Sequence, residues 1–249
     1  MQTCWAASLG NCSTKLSGEH LVSSSLFDGG LVSVVGLPWC KDAPKTIGLS
    51  NLTAKILCDH HNHELSPVDE AGASAFKVFR QMSKTSNARR QMKRGSWKVL
   101  RYEIDGPGLE RWFLKTLINV CFEGSYPIGR GNEVPGWPTE ELVETAYGRR
   151  SFEGRAGLYS IVRTGMQVKS SEELVFSPLI KHRHHIEGGL FSFRGFLYML
   201  FLETDGPPGP LHGVFLEGED LGHCQLNFHN REISDVERGY LSQVLTVRW

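Results

Sequence analysis

The sequence predicts an α+β protein with a largely antiparallel sheet. Its second half carries several short strand-like runs that are separated by Gly and Pro clusters such as Asp205-Gly206-Pro207-Pro208-Gly209. Two segments before these runs have apolar residues at helical spacing. The first quarter has a different composition, because it holds four of the six cysteines and four of the ten histidines.

The N-terminal segment is expected to contain short strands followed by a short helix. The strand-like pieces are Glu19–Leu26, Leu31–Val35 and Leu52–Leu57, and a loop with Pro38, Cys40, Pro44 and Gly48 separates the last two. The helix follows Cys58 and should end near Leu65, because Pro67 disfavours helical angles at the residue before it.

A longer helix should begin at Ser66, which we interpret as its N-cap, with Pro67 as the first helical residue. Ala75, Phe79 and Met82 give this helix an apolar stripe. We therefore divide the chain into an N-terminal module (residues 1–66), a basic helix and linker (67–101) and an α+β domain of unknown role (102–249).

Two helices and several further strands are expected between Trp97 and the end of the third region. They are a strand at Trp97–Ile104, an amphipathic helix at Pro107–Phe122, a short helix at Thr139–Tyr147, and strands near Gly157–Thr164, Leu174–Ile180, Leu190–Glu203, Gly213–Glu217, Cys224–Phe228 and Gln243–Val247.

Acidic and basic residues balance, with 27 of each, so any attraction to nucleic acid must come from a local patch. The first twenty residues lack the apolar core of a secretory signal, and the most apolar stretch, Gly189–Glu203, is too short to cross a membrane. We therefore expect a cytoplasmic protein with no membrane contact. In a reducing compartment, clustered cysteines indicate metal binding before disulfides.

Ligand spacing predicts a structural Zn²⁺ site. Cys58 and His61 lie three residues apart at a strand-to-helix junction, and Cys4 and Cys12 supply a second pair. Three thiolates and one imidazole would close a tetrahedron around zinc and stabilise a segment too small to bury much apolar surface. Cys40 competes for one position, and His60 or His63 could replace His61.

The residues between the ligand pairs resemble the HNH (ββα-metal) endonuclease superfamily. Members show an acid–His pair on a first strand, Asn–Leu before a strand that ends in Leu-Cys, and His or Asn after a further ligand. The matching segments are LSGEHLVSSSL, which contains Glu19-His20, and NLTAKILCDHHN, which begins at Asn51 and ends at Asn62. The resemblance covers about a quarter of the chain and implies a zinc-stabilised ββα-metal module.

The resemblance also implies how the residues would act. His20 would be the general base for water, and Asn51 would orient its imidazole. Glu19 and Asn62 would ligate a separate Mg²⁺ or similar divalent cation. Three features differ from compact members: Asn62 replaces the commoner His, Glu19 replaces the commoner Asp, and a long loop (Phe27–Ser50) separates the motifs.

A basic window runs from residue 77 to residue 101 without an acidic residue. We interpret it either as a solvated helix face or as a strip that contacts phosphates, with Arg89, Arg90, Lys93 and Arg94 as the candidate nucleic-acid ligands.

Together these observations predict a metal-dependent endonuclease that acts on DNA. The first alternative is a non-catalytic binding module with an HNH-like fold, which would bind nucleic acid or an unknown protein. The second is an unrelated zinc hydrolase, although a catalytic zinc would need an open coordination position.

Overall fold

The fold is described from a computed structural model of the chain. The structure describes residues 4–27, 31–35, 40, 43–92, 97–162, 173–181, 184–193, 196–207, 215–216, 219–220, 225–228, 235–237 and 243–249. Among the helices in these ranges, none combines the length and the hydropathy needed to cross a bilayer.

Four α-helices and fourteen strands are present in the described residues. The helices are α1 (Asp59–Glu64), α2 (Ser66–Gln91), α3 (Gly106–Cys121) and α4 (Glu140–Ala146), with one-turn 3₁₀ helices at Ala7–Leu9, Ser24–Leu26 and Leu49–Asn51. The strands are β1 (Leu16–His20), β2 (Leu31–Val35), β3 (Lys45–Gly48), β4 (Thr53–Cys58), β5 (Leu100–Asp105), β6 (Gly157–Val162), β7 (Glu173–Lys181), β8 (His185–Phe193), β9 (Phe196–Phe201), β10 (Phe215–Leu216), β11 (Glu219–Asp220), β12 (Gln225–Phe228), β13 (Asp235–Glu237) and β14 (Gln243–Arg248).

The main sheet has seven strands in the order β12-β6-β9-β8-β7-β2-β3. Among the described strands, parallel pairing occurs between β2 and β7 and between β5 and β14, and the other pairs are antiparallel. The predicted α+β class with a largely antiparallel sheet is therefore confirmed.

The N-terminal quarter contributes to two different sheets. Strands β2 and β3 join the main sheet, because β2 pairs with β7 over Ser33–Val35. Strands β1 and β4 instead form a separate antiparallel pair, in which Leu16 lies opposite Cys58 and His20 lies opposite Thr53. Helix α1 follows β4 without an intervening residue. The 31–48 segment, which the resemblance makes an inserted loop, thus supplies two strands of the large sheet.

Aromatic side chains form the contact between the helices and the main sheet. Phe76 of α2 packs edge-on against Trp112 of α3, with the ring centroids 4.9 Å apart. Phe79 stacks on Phe196 of β9, and Phe113 of α3 packs against Phe191 of β8. Nearly every residue of α3 is buried. This helix is therefore the centre of the core and lies between α2, the sheet and the β1–β4 pair.

Most predicted elements are confirmed, and several boundaries are corrected, among them the strand predicted at Trp97–Ile104, which occupies Leu100–Asp105. Residues 163–164, 213–214, 217 and 224 of the predicted strands lie outside the described residues. The predicted helix at Pro107–Phe122 is α3, and α1 ends before Leu65 as expected. Ser66 is the first residue of α2 rather than its N-cap, since Leu65 occupies that position. Lys45–Gly48 leaves the expected loop to pair with β2, and the single run expected at Leu190–Glu203 is the β8–β9 hairpin.

The first strand is also displaced toward the N-terminus. It was expected at Glu19–Leu26 but occupies Leu16–His20, because pairing with β4 begins at Cys58. After His20 the chain leaves the pair and forms the 3₁₀ turn Ser24–Leu26, which buries Val22 and Leu26.

The close contact between α2 and α3 predicts an unusual response at Gly72. Glycine inside a helix normally costs about 1 kcal/mol relative to alanine, so replacement should stabilise. Here a Cβ atom would overlap the indole ring of the buried Trp112. We expect Gly72→Ala to lower the free energy of unfolding by about 1–3 kcal/mol, measured by urea denaturation.

Ser74→Ala is the matched control, since Ser74 is an exposed residue of the same helix. It should change stability by less than about 0.5 kcal/mol. A stabilised Gly72→Ala protein would show that the two helices do not approach each other as described.

Candidate metal centre and cleft

Cys4, Cys12, Cys58 and His61 form a cluster that could hold a metal ion. Their ligand atoms all lie within 4.8 Å of one another. The Nδ1 atom of His61 is 3.3 Å from the Sγ atoms of Cys4 and Cys58 and 3.5 Å from that of Cys12. A tetrahedral ion with bonds of about 2.3 Å to sulfur and 2.0–2.1 Å to nitrogen would separate these atoms by about 3.5 Å. The spacing therefore suits one four-coordinate ion.

Local structure places each ligand of the cluster. Cys58 ends β4, and its Sγ accepts a hydrogen bond from the backbone N–H of His61, so the thiol caps the first turn of α1. Cys4 is held beside β4 because the backbone N–H of Trp5 donates to the carbonyl of Ile56. Cys12 follows the 3₁₀ helix Ala7–Leu9. The hydroxyl of Tyr147, the residue that follows α4, donates to the backbone carbonyl of His61 at 2.9 Å.

Burial controls the protonation of these ligands. It raises the pKa of the Cys4 thiol to about 12 and also raises that of Cys12. At Cys58, burial acts in the same direction but hydrogen bonds from His61 and Ser13 outweigh it, so the pKa is lowered. Burial lowers the pKa of His61, which favours the neutral imidazole that a metal requires. A cation that binds the cluster must therefore displace thiol protons.

The four-residue cluster includes none of the alternative ligands Cys40, His60 and His63. The Sγ of Cys40 lies 3.6 Å from the carbonyl oxygen of Val34, at the other sheet. His60 is exposed and pairs with Glu64 on the same helix, although both lie near His61. His63 lines a neighbouring cleft instead.

An open polar cleft adjoins the cluster on the side of β1 and α1. Three of the residues predicted to carry chemistry line it together, namely Glu19, His20 and Asn62. The remaining lining residues are Lys15, Gly18, Ser23, Ser24, Asp59, His63, Ser66 and Asp69. The cleft is thus bounded by β1, by the following turn, by α1 and by the first turn of α2.

Glu19 is the most buried acid of the cleft, at 5% exposure. Its Oε1 is 2.7 Å from the Lys115 ammonium and accepts a hydrogen bond from the side-chain amide of Asn119 at 3.3 Å. Burial raises the pKa of Glu19, while Lys115 and Asn119 act against that rise.

Asn62 and His20 are oriented by neighbours on β1 and α3. The amide nitrogen of Asn62 donates to Ser17 Oγ at 2.7 Å, which leaves its carbonyl oxygen as the group available to a cation. The backbone carbonyl of His20 accepts from Asn119, so the same amide holds both Glu19 and His20.

Asn51 lies two residues before Thr53, which is opposite His20 in the β1–β4 pair. Asn51 is exposed at the end of the 3₁₀ turn before β4, and it is absent from the residues that line the cleft. Among the described residues, no hydrogen bond joins the two side chains. The orienting role of Asn51 stays a prediction.

The basic window is only partly described. Arg89 lies in the last turn of α2, with its guanidinium 5.3 Å from the Trp97 ring centroid, and it donates to the carbonyl of Lys98. Arg90 is exposed on the same turn. Lys93 and Arg94 lie outside the described residues.

The sequence patterns did not identify three residues that contact Glu19 either directly or through Lys115. Lys115 and Asn119 come from α3, and Asp69 from the first turn of α2. A signal was present, because Lys115 and Asn119 are polar residues in a helix whose spacing predicts a mainly apolar buried face. Two polar residues in such a helix require buried partners.

Comparisons with protein-family models, curated proteins and solved structures found no match to this chain.

Metal content tests the cluster. We expect the purified protein to contain about one metal ion per chain, because four ligands close a structural site. Cys58→Ser should lose this ion and unfold at a lower temperature, since the substitution removes a thiolate ligand while the serine hydroxyl can still cap the first turn of α1. Elemental analysis and thermal denaturation measure both effects.

Cys40→Ser is the control, because Cys40 is buried but lies outside the cluster. It should retain the ion. Loss of the ion from Cys40→Ser together with full retention in Cys58→Ser would contradict the ligand assignment.

Proposed function

We propose that the chain is a zinc-stabilised, metal-dependent endonuclease that hydrolyses DNA phosphodiester bonds in the cleft between β1 and α1. The observation that carries this proposal is the convergence of Glu19, His20 and Asn62 on one open polar cleft. The order of β1, β4 and α1 also agrees with the ββα-metal module that the sequence resemblance implies. Zinc is the proposed ion of the cluster, because a closed set of three thiolates and one imidazole is typical of structural zinc.

The donor chemistry of the cleft suits a hard divalent cation. Glu19 supplies a carboxylate, and the hydrogen bond from Asn62 to Ser17 leaves an amide oxygen. Oxygen ligands of this kind are preferred by Mg²⁺. When bound, such a cation would neutralise the charge that develops on the phosphate oxygens.

In the proposed mechanism, the residues of the chain transfer a proton and position the base and the metal ligand. His20 accepts a proton from water as the water oxygen bonds to phosphorus. The bond between phosphorus and the leaving oxygen breaks, and that oxygen takes a proton from solvent. Asn119 fixes the backbone of His20 and the carboxylate of Glu19, so base and metal ligand keep a constant relation.

A specific contact favours a second candidate function. The Lys115 ammonium already contacts the Glu19 carboxylate, which the proposed mechanism assigns to the divalent cation. If the Lys115 ammonium permanently occupies the position of the divalent cation, the chain would be a zinc-stabilised binding module without turnover. The two functions differ in whether any nucleic acid is cleaved when Mg²⁺ or Mn²⁺ is supplied.

Substitution of the proposed base is the first test. His20→Ala should reduce plasmid nicking in Mg²⁺ on the order of 10²–10⁴-fold, because it removes the proton acceptor. DNA binding and zinc content should not change, since His20 is outside the metal cluster. Nicking rates, gel-shift affinity and elemental analysis provide the three measurements.

His184→Ala is the matched control, because His184 is an exposed histidine before β8 of the main sheet. It should cleave like the wild type. Equal cleavage by His20→Ala would exclude the proposed base, and a wild type that cleaves neither DNA nor RNA with any divalent cation would favour the binding module.

The basic window generates a separate prediction about affinity. Neutralising Arg89, Arg90, Lys93 and Arg94 together should weaken DNA binding and flatten its dependence on salt, because fewer counterions are released. The slope of log affinity against log salt concentration is the measurement. An unchanged affinity and slope would identify the window as a solvated helix face.

A further inference from the structure

A buried ammonium group lies beneath the cleft and joins two of the acids that line it. The Nζ of Lys115 is 2.7 Å from Glu19 Oε1 and 2.8 and 2.7 Å from the two carboxylate oxygens of Asp69. Glu19 and Asp69 line the cleft, whereas Lys115 does not. The three residues come from β1, α2 and α3, so this contact exists only in the folded chain.

Lys115 is held in place by burial and by a connected set of hydrogen bonds. The residue is 1% exposed and lies on the helix at the centre of the core. Asp69 is fixed in turn by Ser23, whose hydroxyl donates to Oδ1 at 2.7 Å and accepts from the Trp112 indole at 3.1 Å. Burying an ammonium is unfavourable unless it is paired and hydrogen-bonded, and these two carboxylates supply that compensation.

The charges of this group do not cancel. With both acids ionised, two carboxylates and one ammonium leave one net negative charge at the floor of the cleft. The side chain of Asp69 is 33% exposed, so part of this charge faces the opening. Because Asp69 takes two of the ammonium's hydrogen bonds and Glu19 takes one, Glu19 retains capacity for a second cation.

We propose that Lys115 is a positioning residue that holds Glu19 and Asp69 together at the floor of the cleft and, through its own positive charge, limits how strongly the cleft binds a divalent cation. The inference rests on the proposed function, because it takes Glu19 as a ligand of that cation. Asp69 leaves the cleft with a residual negative charge, and Lys115 limits that charge.

We expect the Mn²⁺ affinity to differ between the wild type and its variants in a fixed order. The affinity is measured on the zinc-loaded full chain from the electron paramagnetic resonance signal of free Mn²⁺. Asp69→Asn removes the net negative charge and should weaken binding by about tenfold or more. Lys115→Met removes the ammonium and should strengthen binding by about tenfold or more. If Lys115 had only a structural role, its loss would not strengthen cation binding.

Glu70→Gln is the matched control for Asp69→Asn, because Glu70 is the adjacent exposed acid of α2 and lies outside the cleft. It should leave the affinity unchanged. Glu19→Gln defines the background, since it removes the proposed ligand. If Lys115→Met fails to fold, Lys115→Gln, which lacks the charge but keeps a hydrogen-bond donor, takes its place and should likewise strengthen Mn²⁺ binding.

The results separate this inference from the proposed reaction. The predicted order of affinities in a chain that cleaves no nucleic acid would support the positioning role and exclude the nuclease. Cleavage by the wild type with equal Mn²⁺ affinities in wild type, Asp69→Asn and folded Lys115→Met would overturn the positioning role alone. Wild-type binding no stronger than that of Glu19→Gln would also overturn it.

Discussion

The convergence of Cys4, Cys12, Cys58 and His61 is the constraint on which the N-terminal region depends. Residues 4–27 form only short strands and 3₁₀ turns, although Trp5 and Leu26 are buried in the core, and a four-coordinate ion would tie this segment to β4 and α1. Because Cys58 also caps α1, the cluster sets where this helix begins. The position of Asn62, one residue after His61, follows from it.

A continuous set of contacts connects the metal cluster to the cleft. Trp5 follows Cys4, and its indole N–H donates to the side-chain amide oxygen (Oδ1) of Asn119 at 3.0 Å. The amide nitrogen of Asn119 in turn contacts Glu19 and the backbone of His20. Through Asn119, helix α3 therefore contacts the residue next to Cys4 on one side and Glu19 and His20 of the cleft on the other. We expect the loss of the ion to disturb the cleft even though no ligand is shared.

The cluster and the cleft differ in how far sequence could predict them. Cys58 and His61 are three residues apart at a strand end, so their role follows from local spacing, and the loosely spaced Cys4 and Cys12 follow from the count of ligands. Lys115 and Asp69 are 46 residues apart, and Asn119 and Glu19 are 100 apart. Their contacts depend on the packing of α3, which no local pattern specifies. For the same reason β2 and β3 were not assigned to the main sheet, since β2 pairs with β7 from the far half of the chain.

The central claim is that one chain holds a closed structural ion beside a separate, oxygen-lined cation site. Anomalous diffraction from a crystal grown with Mn²⁺, recorded at the zinc and manganese edges, tests it most directly. We expect a zinc peak bounded by Cys4, Cys12, Cys58 and His61 and a manganese peak in the cleft against Glu19 and Asn62. A crystal with no zinc peak among those four residues, or with manganese absent from the cleft, would contradict the claim.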